Sequence, residues 1–189
     1  MTTMYKPGLQ VFVPDSGRFD RSKLFGGRRT IPHQPRVRSF NKPQNAFWTS
    51  GFEFIIPEDR TSPVTADWLC FSQESNQLGY IGESAGIFRV RPEARILVIP
   101  TEEKFLEVAY RYRGVFTDPD WRKVLKDYDG VASSNRGISG WDCISTAWGN
   151  DGDGVLELVA EVDVVKPEVG LFYLDLSPEL RASLFGEEK

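Results

Sequence analysis

Proline and glycine recur along the whole chain without a fixed period, and they limit how long any helix or strand can be. Twelve prolines and seventeen glycines are spread over 189 residues. Because both residue types favour tight turns, we expect many short helices and strands instead of a long helical bundle. A chain of 189 residues is also typical of one domain, since domains usually hold about 100–200 residues.

Basic residues are concentrated at the N-terminus. Residues 1–42 carry nine Lys/Arg against two Asp, a net charge of +7, whereas residues 43–189 carry fourteen against twenty-five acids, a net of −11. The stretch is rich in Gly, Pro and Arg and lacks periodicity, which predicts an irregular basic arm over residues 1–35 and a folded domain over residues 36–189. Such an arm can contact nucleic acid, another subunit or the acidic body of its own chain.

After the arm, strand patterns alternate with helix patterns. Short β-rich runs such as "AFWTS", "GIFRVR", "RILVI" and "VLELVAEVDVV" predict strands, and "RVRSF", "DGVAS" and "WDCISTAW" add three more. Helices are predicted at four places with a capping residue ahead of them, namely Ser62, Thr101, Asp118 and Ser177. Asp-Gly pairs in "GNDGDG" favour a tight reversal between the last two long strands. The predicted fold class is therefore α+β with mostly antiparallel pairing.

Several kinds of chemistry are disfavoured by what the chain lacks. His33 is the only histidine and lies between two prolines, which argues against a histidine-dependent triad or a multi-histidine metal site. Cys70 and Cys143 have no paired spacing, so neither a disulfide framework nor a zinc site is expected. No apolar run approaches the roughly 20 residues that span a bilayer, and the N-terminus has no signal-peptide pattern, which predicts a cytoplasmic protein.

Polar residues occur where strand-forming apolar residues would be ordinary. Arg38 interrupts "RVRSF", Thr49 and Ser50 close "AFWTS", and "YDGVASSNRGISGWDCISTAW" adds a second polar group. This order of features resembles the ADP-ribosyltransferase fold, in its diverged toxin and phage-encoded branches. The features are an Arg on an early strand, a strand that ends in aromatic-Thr-Ser, a "YDG" strand, and a later strand that opens with an acid. The resemblance covers about residues 36–165.

The resemblance implies a split arrangement of mostly antiparallel sheets with flanking helices, and it implies NAD as the substrate. Arg38, or Arg36 on the same strand, would hold the phosphate or ribose. Asp142 would take the place of the catalytic carboxylate, which is usually a glutamate. Asp142 and Ser145 are thus the predicted catalytic residues, and the predicted NAD-contacting residues are Arg38, Trp48, Thr49, Ser50, Tyr128 and Trp141.

Structural roles remain open for the same residues. Trp48 can be a core residue, Thr49 an ordinary β-branched strand residue and Ser50 a turn cap. Glu157 and Glu161 alternate with apolar residues and are interpreted as the solvent face of their strand. Two functions follow. One is an NAD-dependent ADP-ribosyltransferase or NAD glycohydrolase that acts on a protein or nucleic acid in a host cytoplasm. The other is a non-enzymatic interaction or structural protein of phage type, in a virion for example.

Overall fold

The computed structural model describes residues 8–23, 43, 46–59, 61–113, 118–134, 137–138 and 144–186. These residues form ten strands and four α-helices, in the order β1 (Leu9–Phe12), β2 (Phe47–Ser50), β3 (Phe52–Phe54), β4 (Val64–Ala66), α1 (Asp67–Glu74), β5 (Ser84–Val90), β6 (Ile96–Ile99), α2 (Glu102–Arg111), α3 (Trp121–Asp127), β7 (Gly130–Ser133), β8 (Ser145–Trp148), β9 (Leu156–Val165), β10 (Tyr173–Leu174) and α4 (Pro178–Phe185). Among them no helix is both long and apolar enough to cross a bilayer.

The chain divides into two compact units. The first unit comprises Met1–Phe19, Gly51–Val90 and Leu158–Lys189, and the second comprises Asp20–Ser50 and Arg91–Glu157. Both units combine strands with helices, so the α+β class is confirmed. The ADP-ribosyltransferase-like arrangement and the division into an arm, residues 1–35, and a domain, residues 36–189, stay predictions.

Four strands of the second unit pair in the order β2-β8-β7-β6. β2–β8 and β8–β7 are antiparallel, whereas β6–β7 is parallel. A parallel pair needs a long connection between its strands, and α2 and α3 provide it. Thr101 caps α2 by accepting a hydrogen bond from the backbone N–H of Lys104 at 3.3 Å, as the sequence predicts.

The core of the second unit lies between these helices and one face of its strands. Three buried residues follow one another at helical spacing, namely Phe105 and Val108 of α2 and its C-cap residue Tyr112. They pack in one cluster with Trp121 and Val124 of α3. Strand residues complete the cluster, among them Leu97, Ile99, Val131 and Ala147. The helices therefore cover the strand face from which these four side chains project.

In the first unit, strands follow the order β3-β4-β10-β9-β5-β1. The ladders β3–β4, β4–β10, β10–β9 and β5–β1 are antiparallel. Ser177 caps α4 as predicted, since its hydroxyl accepts from the N–H of Leu180 at 3.2 Å. On β9, Glu157 and Glu161 are exposed, which confirms their interpretation as the solvent face.

Part of the predicted irregular arm is a strand. Leu9–Phe12 pairs with β5 over four residues, and Val11, Val13 and Phe19 are buried. The expectation of an irregular segment is thus wrong for residues 9–12. The apolar side chains of "LQVF" are typical of a strand, and this strand pairs with β5. Residues 24–42 of the basic stretch lie outside the described residues, and His33 and Arg36 are among them.

Two predicted helix starts are wrong. The helix expected from residue 63 begins at Asp67, and Val64–Ala66 is a strand instead. The Ser62 hydroxyl donates to the carbonyl oxygen of Asp59 at 2.7 Å, so it closes a turn and caps no helix. In α3 the cap is Asp120, which accepts from the N–H of Arg122 at 3.1 Å, whereas Asp118, two residues earlier, is buried.

The reversal predicted at "GNDGDG" is also different in kind. Gly149–Gly152 forms a short 3-10 turn, and Gly152 and Gly154 adopt positive φ angles of 72° and 80°. β8 lies between β2 and β7, while β9 lies between β10 and β5, so the two strands are not a hairpin. The turn residues reverse the chain, but the partners of each strand are set by contacts distant in sequence.

Candidate functional site

Three serines end neighbouring strands of the second unit and form a row, which we call the serine row: Ser50, Ser145 and Ser133. Ser50 of β2 is opposite Ser145 of β8, and Ser145 is opposite Ser133 of β7. Directly opposed residues in an antiparallel ladder have Cβ atoms about 4.5–5.5 Å apart. All three are buried, with 2%, 7% and 6% of their surface exposed. The register thus brings three hydroxyl groups together at one end of the strands.

The serine row lies at the border of the helix-covered core. Ala147 lies two residues after Ser145 on β8, and Val131 lies two residues before Ser133 on β7. Both belong to the apolar cluster of the second unit. Side chains two residues apart share a face, so the serines point to the same side as these core residues. Ser133 donates to the carbonyl oxygen of Ile99, at the end of β6, at 2.8 Å. One serine therefore closes the parallel strand pair at this end.

Trp48 shares the face of the serine row, two residues before Ser50. Its ring is half-buried and packs against the same apolar cluster. The indole ring of Trp48 and the hydroxyl of Ser50 therefore lie on one face of β2. Trp48, Ser50 and Ser145 each also interact with other residues of the chain.

Thr49 lies on the opposite face of β2. Its hydroxyl oxygen accepts a hydrogen bond from the indole N–H of Trp148 at 2.7 Å, and the two residues are 2% and 1% exposed. Thr146, directly opposite Thr49 on β8, is fully buried. The strand alternation thus separates Thr49 from Trp48 and Ser50, with which it was predicted as an NAD-contacting residue.

Tyr128 lies at the other end of β7. It is the C-cap of α3, and its N–H donates to the carbonyl oxygen of Val124 at 3.0 Å. From Tyr128 to Ser133 the chain advances five residues, or roughly 16 Å along an extended strand. The structure therefore does not bring Tyr128 to the serine row. Arg38, Trp141 and Asp142 lie outside the described residues.

The "YDG" motif has a structural role through its aspartate. Asp129 accepts from the backbone N–H of Arg95 at 2.8 Å and from the guanidinium Nη2 at 3.0 Å. These hydrogen bonds from Arg95 hold the pKa of Asp129 below its usual range. The following Gly130 is required by packing, because a Cβ there would lie 2.9 Å from Cε3 of Trp148. The motif thus joins the starts of β6 and β7.

Asp118 is a buried acid that sequence reasoning assigned only to a cap. It is 6% exposed, and burial raises the pKa of its carboxyl group. Ser133 and Thr146 were not singled out either. A hydroxyl at the end of a short strand, as in "DGVASS", was the available signal for Ser133, but its neighbours depend on the register.

The described residues contain no group of three or more His, Cys, Asp or Glu side chains placed to hold a metal ion. Comparisons with protein-family models, with curated proteins and with solved structures give no match for this chain.

Proposed function

We propose that this chain is an NAD-dependent ADP-ribosyltransferase or NAD glycohydrolase that acts on a macromolecular target, with its NAD site beside the serine row. The observation that carries the proposal is the register of β2, β8 and β7, which aligns Ser50, Ser145 and Ser133 at the ends of three neighbouring strands. Hydroxyl groups in this position are hydrogen-bond donors and acceptors for a ribose or a carboxamide.

The proposed acid is close to this row in the sequence. Asp142 precedes Ser145 by three residues, and three residues span at most about 11 Å. Cleavage of the nicotinamide–ribose bond builds positive charge on the sugar, which a nearby carboxylate stabilises electrostatically. In this proposal Asp142 provides that charge and Ser145 orients the ribose, while Trp48 offers a flat ring to the nicotinamide.

Other parts of the proposed site are assigned by the resemblance. Arg38 would pair with a phosphate of NAD, which is charged before the reaction begins, so it contributes to binding more than to the chemical step. Trp141 would contact NAD. Thr49 and Tyr128, which the resemblance also assigns to NAD, have no role in this proposal, since one lies on the opposite face of β2 and the other at the far end of β7.

Nicotinamide release from NAD, followed by chromatography, tests the role of the serine row. Ser145→Ala and Ser50→Ala should lower turnover by about 10-fold each, the scale of one hydrogen bond lost in the transition state. Ser72→Ala is the matched control, because Ser72 is fully buried in α1 and its hydroxyl finds no hydrogen-bond partner among the described residues. Equal activity of all three variants and wild type would remove the serine row from the proposal.

A further inference from the structure

The C-terminal end of α2, together with α3, is basic, whereas the first turns of α2 carry the exposed acids Glu102, Glu103 and Glu107. Residues 110–127 carry five Lys/Arg and three Asp, a net charge of +2, whereas the remainder of residues 43–189 carries nine against twenty-two, a net of −13. We define the α2–α3 basic face by Tyr110, Arg111, Arg113, Lys123 and Lys126. All five are exposed. Such a local reversal of charge is typical of a surface that meets a polyanion.

The end of α2 is fastened to the start of α3, so these groups form one surface. The Nζ atom of Lys123 donates to the carbonyl oxygen of Arg113 at 3.0 Å. The N–H of Asp120 donates to the carbonyl oxygen of Tyr112 at 2.7 Å, and Arg113 forms an antiparallel bridge with Pro119. Tyr110 and Arg113 are three residues apart at the end of α2 and meet on one side of it.

Acidic groups neutralise only part of this face. Asp120 pairs with Nε of Arg122 at 3.1 Å and lies 3.8 Å from Nζ of Lys123. The hydroxyl of Tyr112 donates a hydrogen bond to a carboxylate oxygen of Asp127 at 2.6 Å, and Asp118 is buried. The cations of Arg111, Arg113 and Lys126 have no carboxylate partner among the described residues.

The aromatic ring of Tyr110 lies next to these cations. Tyr110 is 73% exposed, and the guanidinium carbon of Arg113 lies 4.6 Å from the centre of its ring. Burying so exposed a ring against a partner is favourable, and a ring with an adjacent guanidinium is a platform on which a nucleobase stacks. An acidic protein surface would match the charge but would not use the flat ring in this way.

We infer that the α2–α3 basic face binds single-stranded nucleic acid, with Tyr110 stacking on a base and Arg113, Lys123 and Lys126 contacting phosphates. This inference goes beyond the proposed NAD chemistry and does not depend on it. It predicts binding with little sequence preference and with a strong dependence on salt, because phosphate contacts release counterions.

Fluorescence anisotropy of the full chain with a labelled oligo-dT of about 15 nucleotides tests the inference, since known single-strand sites span about 4–16 nucleotides. Tyr110→Ala should weaken binding by about 10-fold, whereas Tyr110→Phe, which keeps the ring, should stay within about 2-fold. Arg113→Gln should reduce the slope of log K against log salt by about 0.7. The control is Arg89→Gln, which removes an exposed cation from β5.

Three outcomes would overturn the inference. The first is no binding to the oligonucleotide at about 50 mM salt, where phosphate contacts are strong. The second is undiminished binding by both Tyr110→Ala and Arg113→Gln, which would locate the contact elsewhere, for example in the basic N-terminal stretch. The third is equally tight binding of polyglutamate, with no effect of Tyr110→Ala, which would favour an acidic protein partner.

Discussion

Thr49→Val should destabilise the protein through the indole N–H that it leaves without its acceptor. The Trp148 N–H donates to the Thr49 hydroxyl at 2.7 Å, and both residues are almost fully buried. Valine keeps the branched shape but cannot accept the hydrogen bond. A buried donor without a partner costs about 1–3 kcal/mol, so the free energy of unfolding should fall by that amount. For a chain of this size, each kcal/mol lowers the melting temperature by about 2–4 °C.

Urea unfolding followed by tryptophan fluorescence measures this loss as a shift of the midpoint with an unchanged m-value. The chain contains its own comparison. Trp121 and Trp148 are both 1% exposed, but the Nε1 of Trp121 finds no hydrogen-bond partner among the described residues. Trp148→Phe should therefore cost about 0.5–1.5 kcal/mol more than Trp121→Phe, the net contribution of one hydrogen bond. An unchanged midpoint for Thr49→Val would refute this reasoning.

Two further predictions concern stability. Burial raises the pKa of Asp118, so folding favours the neutral carboxyl group. The free energy of unfolding should therefore fall as pH rises from the ordinary carboxyl pKa through the raised pKa. In urea titrations Asp118→Asn should be more stable than wild type at about pH 7, and this difference in stability should disappear near pH 4. A difference independent of pH would contradict this. Gly130→Ala should destabilise by about 1–3 kcal/mol, because the new Cβ would lie 2.9 Å from Cε3 of Trp148. Gly79→Ala, with no atom within 4 Å of the new Cβ, should be neutral in the same thermal melts, and equal losses would argue against the packing explanation.

Features with a local cause could be predicted from the sequence. Thr101 and Ser177 are predicted as caps because each precedes a helical pattern, and in the structure each accepts a hydrogen bond from the third N–H after it. The exposed side of β9 followed from the alternation around Glu157 and Glu161 in the same way. For these four residues the signal depends only on neighbours within one turn or one strand.

Features set by distant contacts were not predictable. The Ser62–Pro63 pair resembles a helix start, but β-branched Val64 and Thr65 are part of a strand that pairs with β3 and β10. The reversal at Gly149–Gly152 was expected to join a hairpin, yet β9 pairs elsewhere. Which strands pair depends on the whole sheet, so it cannot be predicted from the residues of one strand.

The candidate site divides along the same line. Ser50 and Ser145 were singled out as strand-end polar residues, and the register places them opposite each other. The face of each side chain depends on the register too, which is why Thr49 was grouped with Trp48 although alternation separates them. Ser133 was missed because its importance comes from its neighbour on β8 and not from its own sequence context.

The most direct test of the proposed function is nicotinamide release from NAD by wild type and two variants, with NAD affinity measured in parallel by calorimetry. Asp142→Asn keeps the shape of the side chain but removes its charge, so turnover should fall by about 100-fold while the affinity for NAD changes little. Arg38→Ala should instead weaken NAD binding, because its partner is a phosphate that is already charged in the ground state. Binding of NAD by wild type without release of nicotinamide, or full activity of Asp142→Asn, would contradict the proposal and favour an interaction protein without catalysis.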